Sequence, residues 1–166
     1  MRTILLILIM SMAAGCQNKP DTRSTAAPRT EDELIQINRS MLTQDREQIT
    51  GYLKKTNRQF TETNTGLWYS ILENGTGPVV KTGDNVSYDF ECTLLSGEPC
   101  YSGTQTIRVG YTDAGSGVTE GLHLMQEGSD YLFIVPPYLA FGLTGDGGKI
   151  PGRAILLYRI RIKDII

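Results

Sequence analysis

The chain has a single histidine, His123, a single tryptophan, Trp68, and only three cysteines in 166 residues. One histidine leaves no room for a proton relay built on a histidine pair, and no cysteine–histidine spacing resembles a zinc site. There is no Gly-x-Ser-x-Gly motif, so a serine or cysteine hydrolase has little support. Gly142 to Gly152 is rich in glycine but is no phosphate loop, because Gly148-Lys149 is followed by Ile150 rather than Ser or Thr. Basic runs are absent and the net charge is −2, so no nucleic-acid partner is expected. No apolar run reaches the ~20 residues a bilayer span needs. An enzyme made from these residues works without a proton shuttle or a metal, and no cofactor is expected.

What is present divides the chain into four parts. Arg2 precedes a short apolar run, Ile4 to Met12, and then Ala13, Ala14, Gly15 and Cys16. Residues 1–15 read as a signal peptide. The small residues ending on Cys16 resemble a bacterial lipobox, although Ala13 stands where that motif usually has Leu. Cys16 is therefore the expected lipidation site, against an ordinary cleavage nearby with Cys16 incidental. Several acyl chains on that cysteine meet the two-signal requirement for stable anchoring. Residues 16–29, with Pro20 and Pro28 among small polar residues, read as a flexible tether. Residues 30–62 read as a helical extension in two pieces. The first starts at Thr30 with a capping box to Glu33 and carries Leu34, Ile37, Met41 and Leu42 at helical spacing. The second runs from about Asp45 to Thr56, weakened at Gly51. That stripe is too short for a coiled coil, so it is expected to pack on the domain and leave a monomer.

From Gly66 the period changes to that of strands. Leu67, Tyr69 and Ile71 alternate with Trp68, Ser70 and Leu72. Val86, Tyr88, Phe90, Cys92 and Leu94 alternate with polar neighbours. Thr104 to Val109 is a further strand candidate. Tyr131 to Val135 is a continuous apolar strand, and Tyr158, Ile160 and Ile162 alternate with Arg159, Arg161 and Lys163. Val118 to Gln126 is the one helix candidate in this half. Residues 63–166 are thus expected to form an α+β domain of four or five antiparallel strands covered by one short helix.

The turn at Ser96-Gly97 also makes a prediction about the cysteines. A three-residue loop, Leu95-Ser96-Gly97, pairs Leu94 with Glu98, Thr93 with Pro99 and Cys92 with Cys100. Directly opposed residues lie within adjustment range of a disulfide, and an exported compartment permits one. A Cys92–Cys100 disulfide is expected, the other reading being two small buried thiols.

Val135-Pro-Pro-Tyr-Leu-Ala-Phe-Gly142 and Gly145-Asp-Gly-Gly-Lys-Ile-Pro151 resemble the signature around the active-site loop of FKBP-type peptidyl-prolyl cis-trans isomerases. Gly83 to Phe90, Leu94 to Gly97 and Gly121 to Gly128 are similar, in the same order, to that domain's opening strand, hairpin and single helix. The lipobox, the helical segment and Thr65-Gly-Leu-Trp-Tyr69 are similar to the gliding-motility-associated lipoprotein branch of the family.

The resemblance implies an antiparallel half-barrel sheet wrapped on one short helix, with an apolar proline pocket between them. It implies isomerisation of X–Pro bonds in exported or envelope proteins, with proline-containing polypeptides as clients and a membrane anchor on the periplasmic side. Carried over by position, Phe90 falls at a pocket Tyr, Val118 at the pocket-floor Trp and Phe141 at a loop Tyr. Ile150 falls at the matching aliphatic and Tyr158 at the strand aromatic. Cys100 and Tyr101 replace a Phe-Asp pair. Gly115 replaces the aliphatic residue whose backbone N–H receives the substrate carbonyl. Plain core packing competes with each of these roles, about evenly for Phe90 and Tyr158. The departures leave a second reading open, a binding or chaperone module that keeps the fold without useful turnover.

Overall fold

The computed structural model describes residues 30–166; the expected signal peptide (1–15), the expected tether (16–29) and the expected lipidation site Cys16 lie outside them. The chain forms helix α1 (Glu31–Leu53) and strands β1 (Thr61–Glu62), β2 (Trp68–Glu73), β3 (Asn85–Leu94) and β4 (Pro99–Arg108). Helix α2 (Ser116–His123), strand β5 (Asp130–Val135), a single 3₁₀ turn (Pro137–Leu139) and strand β6 (Leu156–Ile165) follow. The six strands make one antiparallel sheet in the order β1-β2-β5-β6-β3-β4. Two-residue β1, paired through Thr61 with Tyr69 and Glu62 with Trp68, is the strand too short to carry a periodicity.

Helix α1 begins as its cap dictates. The Thr30 hydroxyl accepts from the Glu33 N–H at 3.3 Å, and the Glu33 carboxylate accepts from the Thr30 N–H at 3.1 Å. Glu31, Asp32 and Glu33 place negative charge at the positive end of the helix dipole. The two expected helical pieces are one helix of 23 residues, and the extension beyond Leu53 is not helical. Asp45, where the second helical piece is expected to begin, instead pairs with Arg153, and the Thr43 hydroxyl donates back to the Arg39 carbonyl, so nothing interrupts the ladder.

The sheet is covered on both sides. On one face, α2 lays Leu122 and Val118 over Val86, Tyr88, Phe133, Ile160 and Ile162. On the other, Ile49 of α1 packs with Ile134 and Ile155, flanked by Tyr52, Phe60, Trp68 and Leu157. This second cover explains why β5 is apolar without alternation: Tyr131, Phe133 and Val135 face α2 while Ile134 faces α1. Further along the α1 face the sheet is closed by charge. Asp130, 2% exposed, accepts from Arg159 at 2.8 Å and Arg161 at 2.7 Å. Burial pushes its carboxyl pKa up, but the hydrogen bonds and charges of the two arginines outweigh burial and hold it below the usual range.

The β3–β4 hairpin corrects the cysteine expectation. The loop is as expected: Gly97 takes φ +94° and the Leu94 N–H donates to the Glu98 carbonyl at 2.8 Å. Thr93 faces Pro99, but Cys92 faces Tyr101, so Cys100 is the extra residue of a β-bulge. Cys92 and Cys100 are free, buried thiols rather than a disulfide. Burial pushes the Cys92 thiol up to about 12, which leaves it protonated and unreactive at neutral pH.

Candidate active site

Helix α2 has eight residues and covers only part of its face of the sheet. Its glycines let it sit close. A Cβ on Gly117 would lie 2.5 Å from Val135 Cγ1, and one on Gly121 3.0 Å from the Phe133 ring. Beyond its N-terminus a pocket of about 550 Å³ opens between helix, sheet and the Pro137–Phe141 segment. Strands β3 and β6 supply an aromatic wall. The Phe90 and Tyr158 rings stack with centroids 6.1 Å apart, and Tyr88 meets Phe90 edge-on at 6.4 Å. Val118, 8% exposed, lies at the helix side, and Phe141, 40% exposed, stands at the mouth.

The polar groups of the wall are engaged. The Tyr88 hydroxyl donates to Gln105 Oε1 at 2.8 Å, and burial pushes its pKa up to about 12. Burial also raises the Tyr158 hydroxyl, so both aromatics stay neutral across ordinary pH. Tyr101 donates to Asp146 Oδ2 at 2.6 Å, and Asp146 Oδ1 accepts from the backbone N–H groups of Gly148 at 2.8 Å and Ile150 at 2.9 Å. The bond from Tyr101, reinforced by that from Gly148, holds the Asp146 carboxyl below the usual range, and the same bond raises the Tyr101 hydroxyl. Strand β4 is thereby tied to the tip of the 141–153 loop.

The structure brings Phe90, Tyr101, Gly115, Val118, Phe141 and Tyr158 together around this pocket. Two expected site residues are not among its lining. Ile150 is 2% exposed and joins the core, turned inward by the clamp of Asp146 on its N–H and by its own carbonyl accepting from the Asp146 N–H at 3.1 Å. Cys100 is 3% exposed, with its thiol 3.8 Å from the Glu98 carbonyl oxygen, because the bulge directs it into the core and leaves Tyr101 as the wall. Gly115 adopts φ +82° and its N–H donates to Asp113 Oδ1 at 3.1 Å, so the expected carbonyl donor already has an internal partner. His123 lies away from the pocket. Its Nδ1 donates to the Thr119 carbonyl at 2.8 Å, which leaves Nε2 to accept from the Thr82 hydroxyl at 3.0 Å.

Sequence reading missed Tyr88, Gln105, Asp113, Val135 and Leu139 as lining residues. Tyr88 was legible, two positions before Phe90 on the same face of β3. Gln105 follows only once the β3–β4 register sets it opposite Tyr88. Among the described residues no group of three or more His, Cys, Asp or Glu side chains is placed to hold a metal.

The pocket is open, apolar and walled by stacked aromatics, and it lies beside the Pro-Pro-x-x-Ala-Phe-Gly loop. Residues 77–163 match the model described as FKBP-type peptidyl-prolyl cis-trans isomerase. The chain belongs to that family. FkpA of Escherichia coli (strain K12), a curated FKBP-type peptidyl-prolyl cis-trans isomerase, is 30% identical over 105 residues, covering 61% of this chain and 38% of its own length. FkpA of Buchnera aphidicola is 29% identical over 119 residues, 69% of this chain and 47% of its own. The chain thus spans less than half the length of these curated relatives. Among solved structures, the Pseudomonas syringae isomerase superposes with TM-score 0.66 at 23% identity, covering 76% of this chain and 94% of that one. AtFKBP13 does so with TM-score 0.62 at 23% identity, covering 65% of this chain and 99% of its own. At these identities the structural likeness speaks for the fold, an FKBP-like open sheet with its helix and, here, an N-terminal helix.

Proposed function

We propose that the chain is a peptidyl-prolyl cis-trans isomerase acting on exported or envelope polypeptides, and that Phe90, Tyr101, Val118, Phe141 and Tyr158 hold the proline. The observation that carries this reading is the aromatic pocket itself. Rotation about an X–Pro bond faces a barrier of ~18–20 kcal/mol because the planar amide has partial double-bond character. The twisted amide loses that resonance and is less polar than the planar one. An apolar pocket that receives the proline ring therefore stabilises the twisted form relative to the planar ground state, which is catalysis by differential binding. No step requires a proton transfer, which suits walls whose hydroxyls stay neutral. The membrane anchor through Cys16, the periplasmic side and the gliding-motility-associated branch extend this reading. Their support is the residue pattern of 1–16 and the Thr65-Gly-Leu-Trp-Tyr69 run.

A second reading has one specific observation in its favour. The Gly115 N–H is held by Asp113 rather than presented to a substrate carbonyl. A binding module with the same pocket would tolerate that loss where an enzyme would be slowed. A protease-coupled assay over a series of X–Pro peptides separates the two. Isomerisation accelerated in proportion to protein concentration supports the enzyme; uncatalysed rates with peptide binding intact support the module. Mass spectrometry of the mature N-terminus tests the anchor, with a diacyl- or triacyl-cysteine at position 16 as the expected result.

A further inference from the structure

Among the described residues, Arg153 is the one non-glycine residue with a left-handed backbone, φ +60°. Such a conformation disfavours a side chain and persists where surrounding contacts hold it. Here the contacts come from α1. The Arg153 guanidinium donates to Asp45 Oδ1 at 2.9 Å, to the Met41 carbonyl at 3.3 Å and to Gln44 Oε1 at 3.4 Å. The Asp45 side chain is 8% exposed, so its charge is buried and needs this partner.

The other end of Arg153 closes the pocket loop. Its N–H donates to the Gly142 carbonyl at 2.8 Å, and the Gly142 N–H donates to the Pro137 carbonyl at 2.8 Å. Phe141 at the pocket mouth directly precedes Gly142. Helix α1 does not depend on this pair for its docking: Ile49 is already packed on Ile134 and Ile155, and Arg46 is paired with Glu62 at 2.6 Å. The loop base, in contrast, has Arg153 as its link to the helix.

We infer that Asp45 and Arg153 are positioning residues of the proline pocket: α1, which lies outside the family-matched segment 77–163, holds the base of the 141–153 loop and so fixes Phe141 at the mouth. This rests on the proline-pocket reading. The tip of the loop is tied by Tyr101 and Asp146, and its base by Arg153 and Asp45.

The test uses the mature chain with Arg153→Gly, Asp45→Asn, Arg153→Lys and the control Arg46→Ala. Glycine adopts φ +60° without strain, so Arg153→Gly removes the tie while favouring the native backbone. Peptide kcat and KM, peptide affinity, and amide exchange at Gly142, Asp146 and Ile150 are measured. Arg153→Gly and Asp45→Asn are expected to lower kcat/KM about tenfold, chiefly through KM. That sits inside the ~100-fold that an ångström of misplacement costs. The loop amides exchange faster, Arg153→Lys recovers most of the loss, and Arg46→Ala matches the wild type. Unchanged loop exchange overturns the inference, as does faster exchange with unchanged affinity and turnover, or an equal loss in Arg46→Ala. If the wild type itself shows no turnover, the isomerase reading falls, and affinity with loop exchange still decides whether the tie positions the pocket.

Discussion

The two faces of the sheet are built from similar apolar side chains and finish differently. Behind the sheet, a 23-residue helix brings Ile49 onto Ile134 and Ile155, and each of the three is at most 4% exposed. In front, an eight-residue helix begins only at Ser116 and brings two glycines, a valine and a leucine to the sheet, so beyond its N-terminus the rings of Phe90 and Tyr158 line a space of about 550 Å³. The room for the site therefore comes from the length and small residues of α2, and its walls come from the aromatics of β3 and β6. Both faces carry stability, the larger buried cluster lying on the α2 side, and the front face leaves part of its area open as room.

That division can be broken most sharply from behind. Ile134→Ala removes a fully buried side chain and is expected to cost about 3 kcal/mol of stability in denaturant unfolding, with peptide affinity retained. Equal loss of affinity would show that the faces are not separable. Asp130→Asn, on the same face, is expected to cost about 2 kcal/mol, between the values for exposed and buried pairs, because both arginines are partly exposed. The sign with pH follows from its lowered pKa. The ionised carboxylate stabilises the fold above the ordinary carboxylate range, and this contribution is lost as pH falls through the depressed value. Acid titration of stability should thus be shallower in Asp130→Asn than in the wild type.

On the front face the order reverses. Phe141→Ala is expected to lower kcat/KM about tenfold, equivalent to ~1.4 kcal/mol, with a stability change under about 1 kcal/mol because this exposed ring contributes little to the core. Exchange NMR on an X–Pro peptide and a thermal melt of the same sample check both halves. The smallest effect expected is none: kcat/KM flat from about pH 6 to about pH 8, as a reaction without general acid or base requires. Tyr88 and Tyr158 remain neutral there. A bell-shaped profile would show a titrating group that the pocket geometry does not include.

Much of the front face was legible in the sequence because it is written in strand alternation. Val86, Tyr88 and Cys92 point inward in β3, and Ile160 and Ile162 do so in β6, as their spacing requires. The Pro-Pro-x-x-Ala-Phe-Gly loop placed Phe141 at the mouth. Hidden features each depend on a contact distant in sequence. Asp45 reads as a helix start until Arg153, more than a hundred residues away, is seen to claim it. Cys100 reads as the partner of Cys92 until the bulge shifts the register by one. Ile150 reads as a pocket wall until the Asp146 clamp turns it into the core. Gly115 kept the expected backbone donor, but its neighbour Asp113 satisfies that donor first.

The central claim, that a proline ring occupies the space in front of the sheet, is tested most directly by intermolecular NOEs between a bound X–Pro peptide and the protein. The account predicts NOEs from the proline ring protons to the side chains of Phe90, Val118 and Tyr158. Proline NOEs confined to α1 or to the outer surface of the 141–153 loop, with none to those three residues, would contradict it.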